Sequence, residues 1–298
     1  MARGLIVKAL SGFYYVMPDD GGETVQCRAR GVFKVRGITP LVGDRVHFEV
    51  EATGEGTVTE IEPRTSELVR PPIANVDTAV LVFSIAEPAV SHLLLDRFLV
   101  HVELAGLTPI ICFSKKDLGK DPQELEAAMR KYTNIGYEVF ATSSVHGDGT
   151  DELVQRLTGH ISVFAGQSGV GKSTLLNAMI PGLDLETREI SRRLGRGKHT
   201  TRHVELIPLP QSGWIADTPG FSQLDFTIEP EELTLGFREL REAAESCKFR
   251  GCLHISEPGC AVTEGLQEGC IDPTRYEHYK VFLEEVKEAK EKRRRNPR

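Results

Sequence analysis

Residues 166–173 form a glycine-rich run that ends in a lysine and a serine, with the sequence Gly-Gln-Ser-Gly-Val-Gly-Lys-Ser. This spacing fits the phosphate-binding loop G-x-x-x-x-G-K-[ST], whose backbone amides hold phosphate oxygens at the start of a helix. An apolar run at 161–165 precedes it and a helix-forming run at 174–179 follows it, which favours this interpretation over a chance glycine turn. The predicted nucleotide-binding residues are Gly166, Gln167, Ser168, Gly169, Val170, Gly171, Lys172, Ser173 and Thr174.

Two side chains of this loop are suited to act on the nucleotide directly. A lysine at the position of Lys172 reaches the β- and γ-phosphates, and a hydroxyl at the position of Ser173 ligates Mg²⁺. Further along the chain, Asp217-Thr218-Pro219-Gly220 fits the D-x-x-G turn that senses the γ-phosphate, so Asp217 and Gly220 are predicted to contact it. The substrate predicted by these residues is a nucleoside triphosphate.

A third motif indicates which base is bound. Ser114-Lys115-Lys116-Asp117 fits a relaxed form of the guanine-recognition motif [NT]-K-x-D. Asp117 would accept hydrogen bonds from N1 and the exocyclic amine of guanine, and Lys115 would lie along the base and support the loop. Ser114 replaces the usual Asn or Thr. A later apolar run ends in small polar residues that include Ser143, as expected of the loop whose backbone contacts guanine O6. Alone, the motif is more typical of a solvated charged turn, but its place after a predicted strand, in a chain with a phosphate loop, favours guanine.

The order of the motifs is unusual, because the base-recognition motif precedes the phosphate loop. Apolar runs at 80–83 and 109–113 predict parallel buried strands. Between them Leu94, Phe98, Val102 and Leu104 recur at helical spacing. A short helix predicted at 151–157 leads directly into the strand before the phosphate loop. The last helix of an ordinary GTPase domain is thus joined to its first strand, which is possible because domain termini often lie close together. We predict a circularly permuted GTPase domain.

The segment between the phosphate loop and Asp217 has the composition of a nucleotide-dependent switch. Thr200 or Thr201 would supply a second hydroxyl ligand of Mg²⁺ in the triphosphate state, and loss of the γ-phosphate would release the segment. Phe221 stands where Ras-like enzymes have a Gln that orients water, so we predict that a neutral His199 takes that role. The alternative is that His199 faces solvent or contacts RNA. The segment is basic, with Arg188, Arg192, Arg193, Arg196, Lys198 and Arg202 against Glu189.

Three cysteines and a histidine lie close together near the C-terminus, as Cys247-x4-Cys252-x-His254-x5-Cys260. Three thiolates and one imidazole complete a tetrahedral zinc site with no open position, so we predict one structural Zn²⁺. The alternative is a set of free or disulfide-bonded cysteines near an unrelated histidine. The other three cysteines are expected to be ordinary thiols; they are Cys27, Cys112 and Cys270.

The chain before and after the GTPase motifs forms two further predicted units. Short apolar segments at 5–10, 13–16, 46–50 and 56–61 predict a small antiparallel barrel. A linker is predicted at 63–73. Leu233, Phe237 and Leu240 recur at helical spacing, and a last helix is predicted to begin at Asp272-Pro273 and to end in basic residues. Candidate RNA contacts in the barrel are Phe13, Tyr14, Tyr15, Phe33, Arg28, Arg30, Lys34 and Arg36, which are equally compatible with core aromatics and a solvated basic face.

Composition places limits on the class of protein. The 298 residues carry a net charge of −7, which does not by itself indicate a nucleic-acid-binding protein. No apolar stretch approaches the roughly 18 residues of a membrane span. The N-terminus has a lysine within its first apolar run and no small-residue cleavage site, so we expect no signal peptide and a cytoplasmic location.

With these motifs the chain resembles the circularly permuted bacterial ribosome small subunit-dependent GTPase A family of ribosome-assembly factors. The residues of the resemblance are Gly166–Ser173, Gly195–Arg202, Asp217–Gly220 and the Cys/His cluster. It implies a multidomain α/β protein, with an N-terminal OB-fold β-barrel at 1–68, a circularly permuted P-loop GTPase domain at 74–223 and a helical zinc-binding domain at 224–298. It also implies that Thr201 is the switch threonine.

The resemblance further implies the protein's activity and partners. GTP would be the substrate, GDP the product and Mg²⁺ the cofactor, with the small (30S) ribosomal subunit and its rRNA as partners and as stimulators of hydrolysis. The work would be late maturation of that subunit by a monomer without membrane contact. Two alternatives stay open from the residues themselves. One is a P-loop kinase or ATPase acting on a small substrate, and the other is a zinc-bearing RNA-binding module with a vestigial nucleotide site.

Overall fold

The computed structural model describes residues 1–52, 54–69, 72–183, 204–217 and 224–295, without the side chains of Lys34 and Asp217. The N-terminal unit is a closed five-stranded barrel in which β1 pairs with β2 and β4, and β3 and β5 complete the ring. Five strands is the number in an OB-fold, so the predicted barrel is confirmed. Its elements are β1 Ala2–Leu10, β2 Phe13–Pro18, β3 Val25–Ala29, helix α1 Gly31–Val35, β4 Arg45–Val50 and β5 Gly56–Ile61.

One barrel strand has no counterpart among the predicted apolar segments. β3 places only Cys27 fully inside the barrel, and its other side chains are polar or partly exposed. It pairs in parallel with β5, so the barrel is not wholly antiparallel as predicted. A strand with one buried residue gives too weak an alternation to be recognised from sequence.

The segment predicted as a linker is folded against its neighbours. β6 Glu67–Val69 and β7 Pro72–Ala74 form a two-stranded antiparallel sheet, and Ile73 is fully buried. Arg64 donates to both carboxylate oxygens of the buried Asp44 of the barrel, at 2.7 and 2.8 Å. The connection between barrel and GTPase unit is therefore held by packing and by a charged hydrogen-bond pair.

The central sheet has the order β10-β9-β8-β11-β13-β12, with every pair parallel except β12 with β13. All four strands and the helices predicted here are present. Because the strands are parallel, their carboxyl ends lie at one edge of the sheet, where ligands of α/β proteins bind. The strands are β8 Thr78–Ser84, β9 Thr108–Ser114, β10 Glu138–Ala141, β11 Ile161–Ala165, β12 Glu205–Pro208 and β13 Trp214–Asp217. The helices are α2 His92–Leu104, α3 Pro122–Thr133, α4 Thr150–Arg156 and α5 Lys172–Met179.

The C-terminal unit is helical and packs against α2. It consists of a 3₁₀ helix, Pro230–Gly236, then α6 Arg238–Ala244, α7 Ala261–Glu268 and α8 Pro273–Arg295. The helical run predicted through Phe237 is interrupted there, because Phe237 has extended backbone and is fully buried. Gly236 lies so close to α2 that a Cβ would be 2.6 Å from Val100 Cγ1. Tertiary packing thus sets the break. Among the described residues, no helix has the length and apolar character needed to span a bilayer.

Candidate nucleotide and metal sites

The predicted phosphate loop connects the carboxyl end of β11 to the first turn of α5. Gly166, Gly169 and Gly171 all have positive φ, at 143°, 82° and 94°. At Gly166 an added Cβ would lie 2.1 Å from Val82 O of the neighbouring strand. Only glycine fits there, because a larger residue would meet both a backbone strain and a backbone clash.

Lys172 is positioned over the loop by the loop's own carbonyls. Its Nζ donates to Gly166 O and Gln167 O, each at 2.7 Å. Burial lowers the pKa of the Lys172 ammonium. Ser173 and Thr174 occupy the first turn of α5, half-buried and exposed respectively. The loop thus leads into a helix N-terminus whose first turn carries one cation and two hydroxyl residues, a combination suited to phosphate.

The base-recognition motif, although some 50 residues earlier in the chain, contacts the phosphate loop directly. Ser114, the last residue of β9, is buried, and its Oγ lies 2.6 Å from Val170 O. Lys115 Nζ donates to Gly169 O at 2.7 Å and also to Glu87 O. Ser114 and Lys115 therefore support the loop from inside, and Ser114 acts through the loop backbone in this structure.

Asp117 lies at the neighbouring strand ends, where a base would be recognised. The Ser143 hydroxyl, by hydrogen bonding to the carboxylate, lowers the pKa of Asp117, and the charge of His146 lowers it further. Lys116 N donates to Thr142 O at 3.0 Å, and its Nζ lies 3.8 Å from Asp148 Oδ2. The ionised Asp117 can accept two hydrogen bonds from a guanine edge.

Three residues near these motifs were not predicted from the sequence, namely Glu87, Pro88 and His146. Glu87 O accepts from Lys115, and Pro88 Cδ lies 4.0 Å from the position of a Cβ on Gly169. The signal that could have identified the first two is their place just after β8, since residues after parallel strands meet at one edge of the sheet. His146 follows Ser143 in the loop after β10.

Asp217, the first residue of the D-x-x-G turn, is the last residue of β13. β13 lies next to β11, with Ala216 opposite Val163, so this strand end is adjacent to the start of the phosphate loop. The other switch residues lie outside the described part of the chain; they are Thr201, His199, Gly220, Phe221 and the basic segment 188–202.

The four predicted zinc ligands come together in the C-terminal unit. Their ligand atoms all lie within 4.8 Å of one another. Cys260 Sγ is 3.9 Å from Cys247 Sγ and 3.3 Å from His254 Nδ1. Ligand atoms around a tetrahedral zinc with bonds near 2.3 Å lie about 3.8 Å apart. All six cysteines are unpaired, so the disulfide alternative is not the arrangement in this structure. The donor set fits a closed structural zinc site.

The loop that carries these ligands is held by hydrogen bonds from outside the cluster. Tyr276 and Tyr279 of α8 donate to His254 O at 2.6 Å and Leu253 O at 3.0 Å. The Glu257 carboxylate accepts from the backbone N–H groups of residues 253, 255 and 256. Burial raises the pKa of Glu257, but these hydrogen bonds outweigh it and bring the pKa to about 2. Burial also lowers the pKa of His254, which favours the neutral imidazole that a metal requires.

The candidate RNA contacts divide between core and surface. Phe33 is buried, so it belongs to the barrel core and its prediction as an RNA contact is wrong for this structure. The Arg28 guanidinium lies 4.5 Å from the Phe13 ring centroid on the outside of the barrel. Tyr14 and Tyr15 are half-buried. Part of the basic end of α8 is paired within the protein, because Lys290 bonds Glu229 and Arg293 donates to the carbonyls of residues 227 and 228.

A P-loop sheet in which the guanine-recognition strand precedes the phosphate-loop strand defines a circularly permuted GTPase. A family model described as RsgA GTPase matches residues 61–227, and one described as RsgA N-terminal domain matches residues 3–58. The chain belongs to the RsgA GTPase family.

Individual relatives cover almost the whole chain. Two relatives carry the name "Small ribosomal subunit biogenesis GTPase RsgA". The protein from Halalkalibacterium halodurans is 58% identical over 98% of this chain and 100% of its own length. The protein from Bacillus velezensis is 56% identical over 97% of this chain and 99% of its own length. The crystal structure of YloQ, a circularly permuted GTPase, superposes with a TM-score of 0.84 at 46% identity, over 100% of this chain and 97% of the YloQ chain. The crystal structure of YjeQ from Thermotoga maritima superposes with a TM-score of 0.85 at 36% identity, over 96% of this chain and 98% of the YjeQ chain.

Proposed function

We propose that this protein hydrolyses GTP in the biogenesis of the small ribosomal subunit. The observation that carries the proposal is the contact of two distant motifs: Lys115 donates to Gly169 O of the phosphate loop, while the Ser143 hydroxyl hydrogen-bonds to Asp117 and lowers its pKa. These contacts support a guanine site and a phosphate site at one edge of the sheet. The names of the relatives supply the ribosomal process. Neither a kinase acting on a small substrate nor a vestigial nucleotide site is supported by them.

The residues at this edge have separate roles in the proposal. Asp117 and Ser143 select guanine, and the loop amides with Lys172 hold the phosphates. Ser173 and Thr201 would hold Mg²⁺, which offsets phosphate charge when bound. Asp217 and Gly220 sense the γ-phosphate. His199 positions the attacking water, because Phe221 has no group that can hold it.

The units on either side of the GTPase domain serve binding in this proposal. The barrel, residues 1–68, contacts rRNA of the small subunit, and residues 224–298 form a zinc-stabilised domain attached to the GTPase domain, residues 74–223. One Zn²⁺ bound by Cys247, Cys252, His254 and Cys260 has a structural role. The protein acts as a monomer in the bacterial cytoplasm, where its ribosomal partner is assembled.

The decisive experiment measures GTP hydrolysis with purified small subunits, with large subunits and without ribosomal particles. We expect stimulation by small subunits alone, preference for GTP over ATP in competition, and loss of steady hydrolysis in Lys172→Ala. Lys120→Ala is the matched control, because Lys120 is an exposed lysine outside the predicted motifs. Equal stimulation by both subunits, or hydrolysis that survives Lys172→Ala, would contradict the proposal.

A second measurement concerns the nucleotide switch. Binding to small subunits should be tighter with a non-hydrolysable GTP analogue than with GDP and should weaken steeply with salt, as expected when Lys and Arg displace counterions from RNA. In single-turnover hydrolysis with saturating small subunits, His199→Ala should be slower by about 10²-fold or more, and Phe221→Ala should not. A His199→Ala rate within a few-fold of wild type would assign water positioning to another group.

A further inference from the structure

In the described part of the chain, the barrel pairs with the GTPase sheet through one pair of strands, β1 with β12. Lys8 and Glu205 are opposite each other in that pair, and Lys8 Nζ donates to Glu205 Oε2 at 2.9 Å. On its other side Glu205 is the register partner of Asp217, the first residue of the D-x-x-G turn. Lys8 of the barrel is therefore one strand away from the backbone of a residue that senses the γ-phosphate.

A β-bulge in β1 directs Lys8 towards the GTPase unit. The register of β1 with β2 shifts between Ile6 and Lys8, and the three residues Leu5, Ile6 and Val7 are all buried in succession. Strict alternation would place Lys8 on the same face as the fully buried Ile6. The extra residue changes the face, and bulges commonly re-aim a side chain in this way.

At its other end, the interface between the barrel and the GTPase sheet is open. A cavity of about 350 Å³ lies there, lined by Leu5, Arg45 and Glu62 from the barrel side and by Asp77, Ile161 and Trp214 from the GTPase side. Ile161 and Trp214 begin β11 and β13, so the cavity lies at the edge opposite the nucleotide site. The interface between the barrel and the GTPase sheet thus has the Lys8–Glu205 salt bridge at the end near Asp217 and a cavity at the opposite end.

We propose that Lys8 is a positioning residue for GTP hydrolysis, through which binding at the barrel affects the switch. Its contact with Glu205 fixes β12 relative to the barrel, and β12 is paired to the strand that ends at Asp217. A partner bound to the barrel therefore acts on the backbone position of Asp217, the first residue of the D-x-x-G motif. This inference rests on the proposed function, since the partner on the barrel is the rRNA of the small subunit.

The size of the effect follows from the exposure of the pair. Its side chains are 33% and 49% exposed, and partly exposed ion pairs change equilibria by about 0.2–1 kcal/mol. The matching change in the small-subunit stimulation of kcat, taken as the ratio of stimulated to basal rate, is about 1.5- to 5-fold. We expect Lys8→Glu, which places two like charges opposite each other, at the upper end of this range and Lys8→Gln at the lower end.

The test is a charge swap. Lys8→Glu and Glu205→Lys should each reduce the stimulation ratio in kcat with little change in KM for GTP, and the double variant should restore it. Trp214 is the only tryptophan in the chain, so its fluorescence should change when wild type binds small subunits and change less in Lys8→Glu. The control is the swap of Lys287 and Glu284, an exposed pair on α8, which should leave the ratio unchanged.

The outcomes separate this inference from the function on which it rests. If wild type shows no stimulation by small subunits, the proposed function fails and this inference fails with it. If wild type is stimulated but Lys8→Glu and the milder Lys8→Gln keep the full ratio, the function stands and the role of Lys8 is refuted. A stimulation ratio in the double variant that is no higher than in the single variants also refutes it. The loss in the single variants would then come from general damage to the structure, since exchanging the two charges restores the ion pair but does not repair such damage.

Discussion

Arg275 of α8 offers a test of how the C-terminal unit is attached to the GTPase domain. Arg275 and Asp96 of α2 are both fully buried, and Arg275 Nη1 is paired with Asp96 Oδ1. Arg275 Nε also donates to Glu239 Oε1 of α6. His278 Nδ1 lies 2.5 Å from the second Asp96 oxygen. One buried guanidinium thus joins three helices from two units.

We expect Arg275→Met to lower the free energy of unfolding by about 3–5 kcal/mol, the range for removing one partner of a buried ion pair. Most of this cost comes from leaving Asp96 buried without its strongest partner. Because His278 stays beside Asp96, we expect the lower end, about 3 kcal/mol. Adding Asp96→Asn should recover part of the loss, since the uncompensated charge is then removed.

The assay is urea denaturation of the zinc-loaded protein, followed by far-ultraviolet circular dichroism and by Trp214 fluorescence. Lys287→Met is the matched control on the same helix, because its partner Glu284 is exposed and such pairs contribute about 1 kcal/mol or less. A loss below about 1 kcal/mol for Arg275→Met, or a double variant no more stable than the single, would refute the reasoning from burial.

Three further predictions concern the nucleotide and metal sites. Asp117→Asn should weaken GTP binding and permit xanthosine triphosphate, because an amide can donate to the extra carbonyl of xanthine; an unchanged guanine-over-xanthine preference in competition binding would contradict the assignment. Gly166→Ala should abolish measurable GTP binding in a titration, because its Cβ would lie 2.1 Å from Val82 O. The control, Gly136→Ala, has a φ of 92° and open space around it, so it should retain GTP binding. Equal binding by the two variants would show that the loop tolerates the side chain. Purified protein should contain about one zinc per chain, and Cys260→Ala should lose it. Glu257→Gln should release zinc to a chelator faster than Glu264→Gln does, because an amide replaces one of the two carboxylate oxygens that accept from the loop N–H groups. Zinc-free protein from a reduced preparation would contradict the metal assignment.

The elements that the sequence predicted well are those encoded within short windows. The strand before the phosphate loop is at 161–165 as predicted, and α8 begins at Pro273 after Asp272, whose carboxylate accepts from Arg275 N. The Cys/His cluster was identifiable because four donors lie within fourteen residues of chain. Apolar runs, turn glycines and cap residues act through local backbone energetics, so they keep their meaning without knowledge of the rest of the fold.

The elements that the sequence did not predict depend on partners distant in the chain. β3 is a strand because β2 and β5 bond to it, and Phe237 interrupts a helical run because it is packed in the C-terminal core beside α2. The sequence around Phe33 was equally compatible with a surface position and a core position, and only the packing of the barrel shows that its side chain is buried. In each case packing with residues far away in sequence overrides a weak local preference.

By itself, the sequence determined the order of the motifs, and with it the permuted GTPase topology and the four donors of the candidate metal site. Only the tertiary structure decided that Ser114 and Lys115 support the phosphate loop, that Arg275 is buried against Asp96, and that Lys8 is turned towards Glu205. The physical reason is that these contacts join segments dozens to almost two hundred residues apart. Their geometry follows from how sheets and helices pack, and no local periodicity of the chain specifies it.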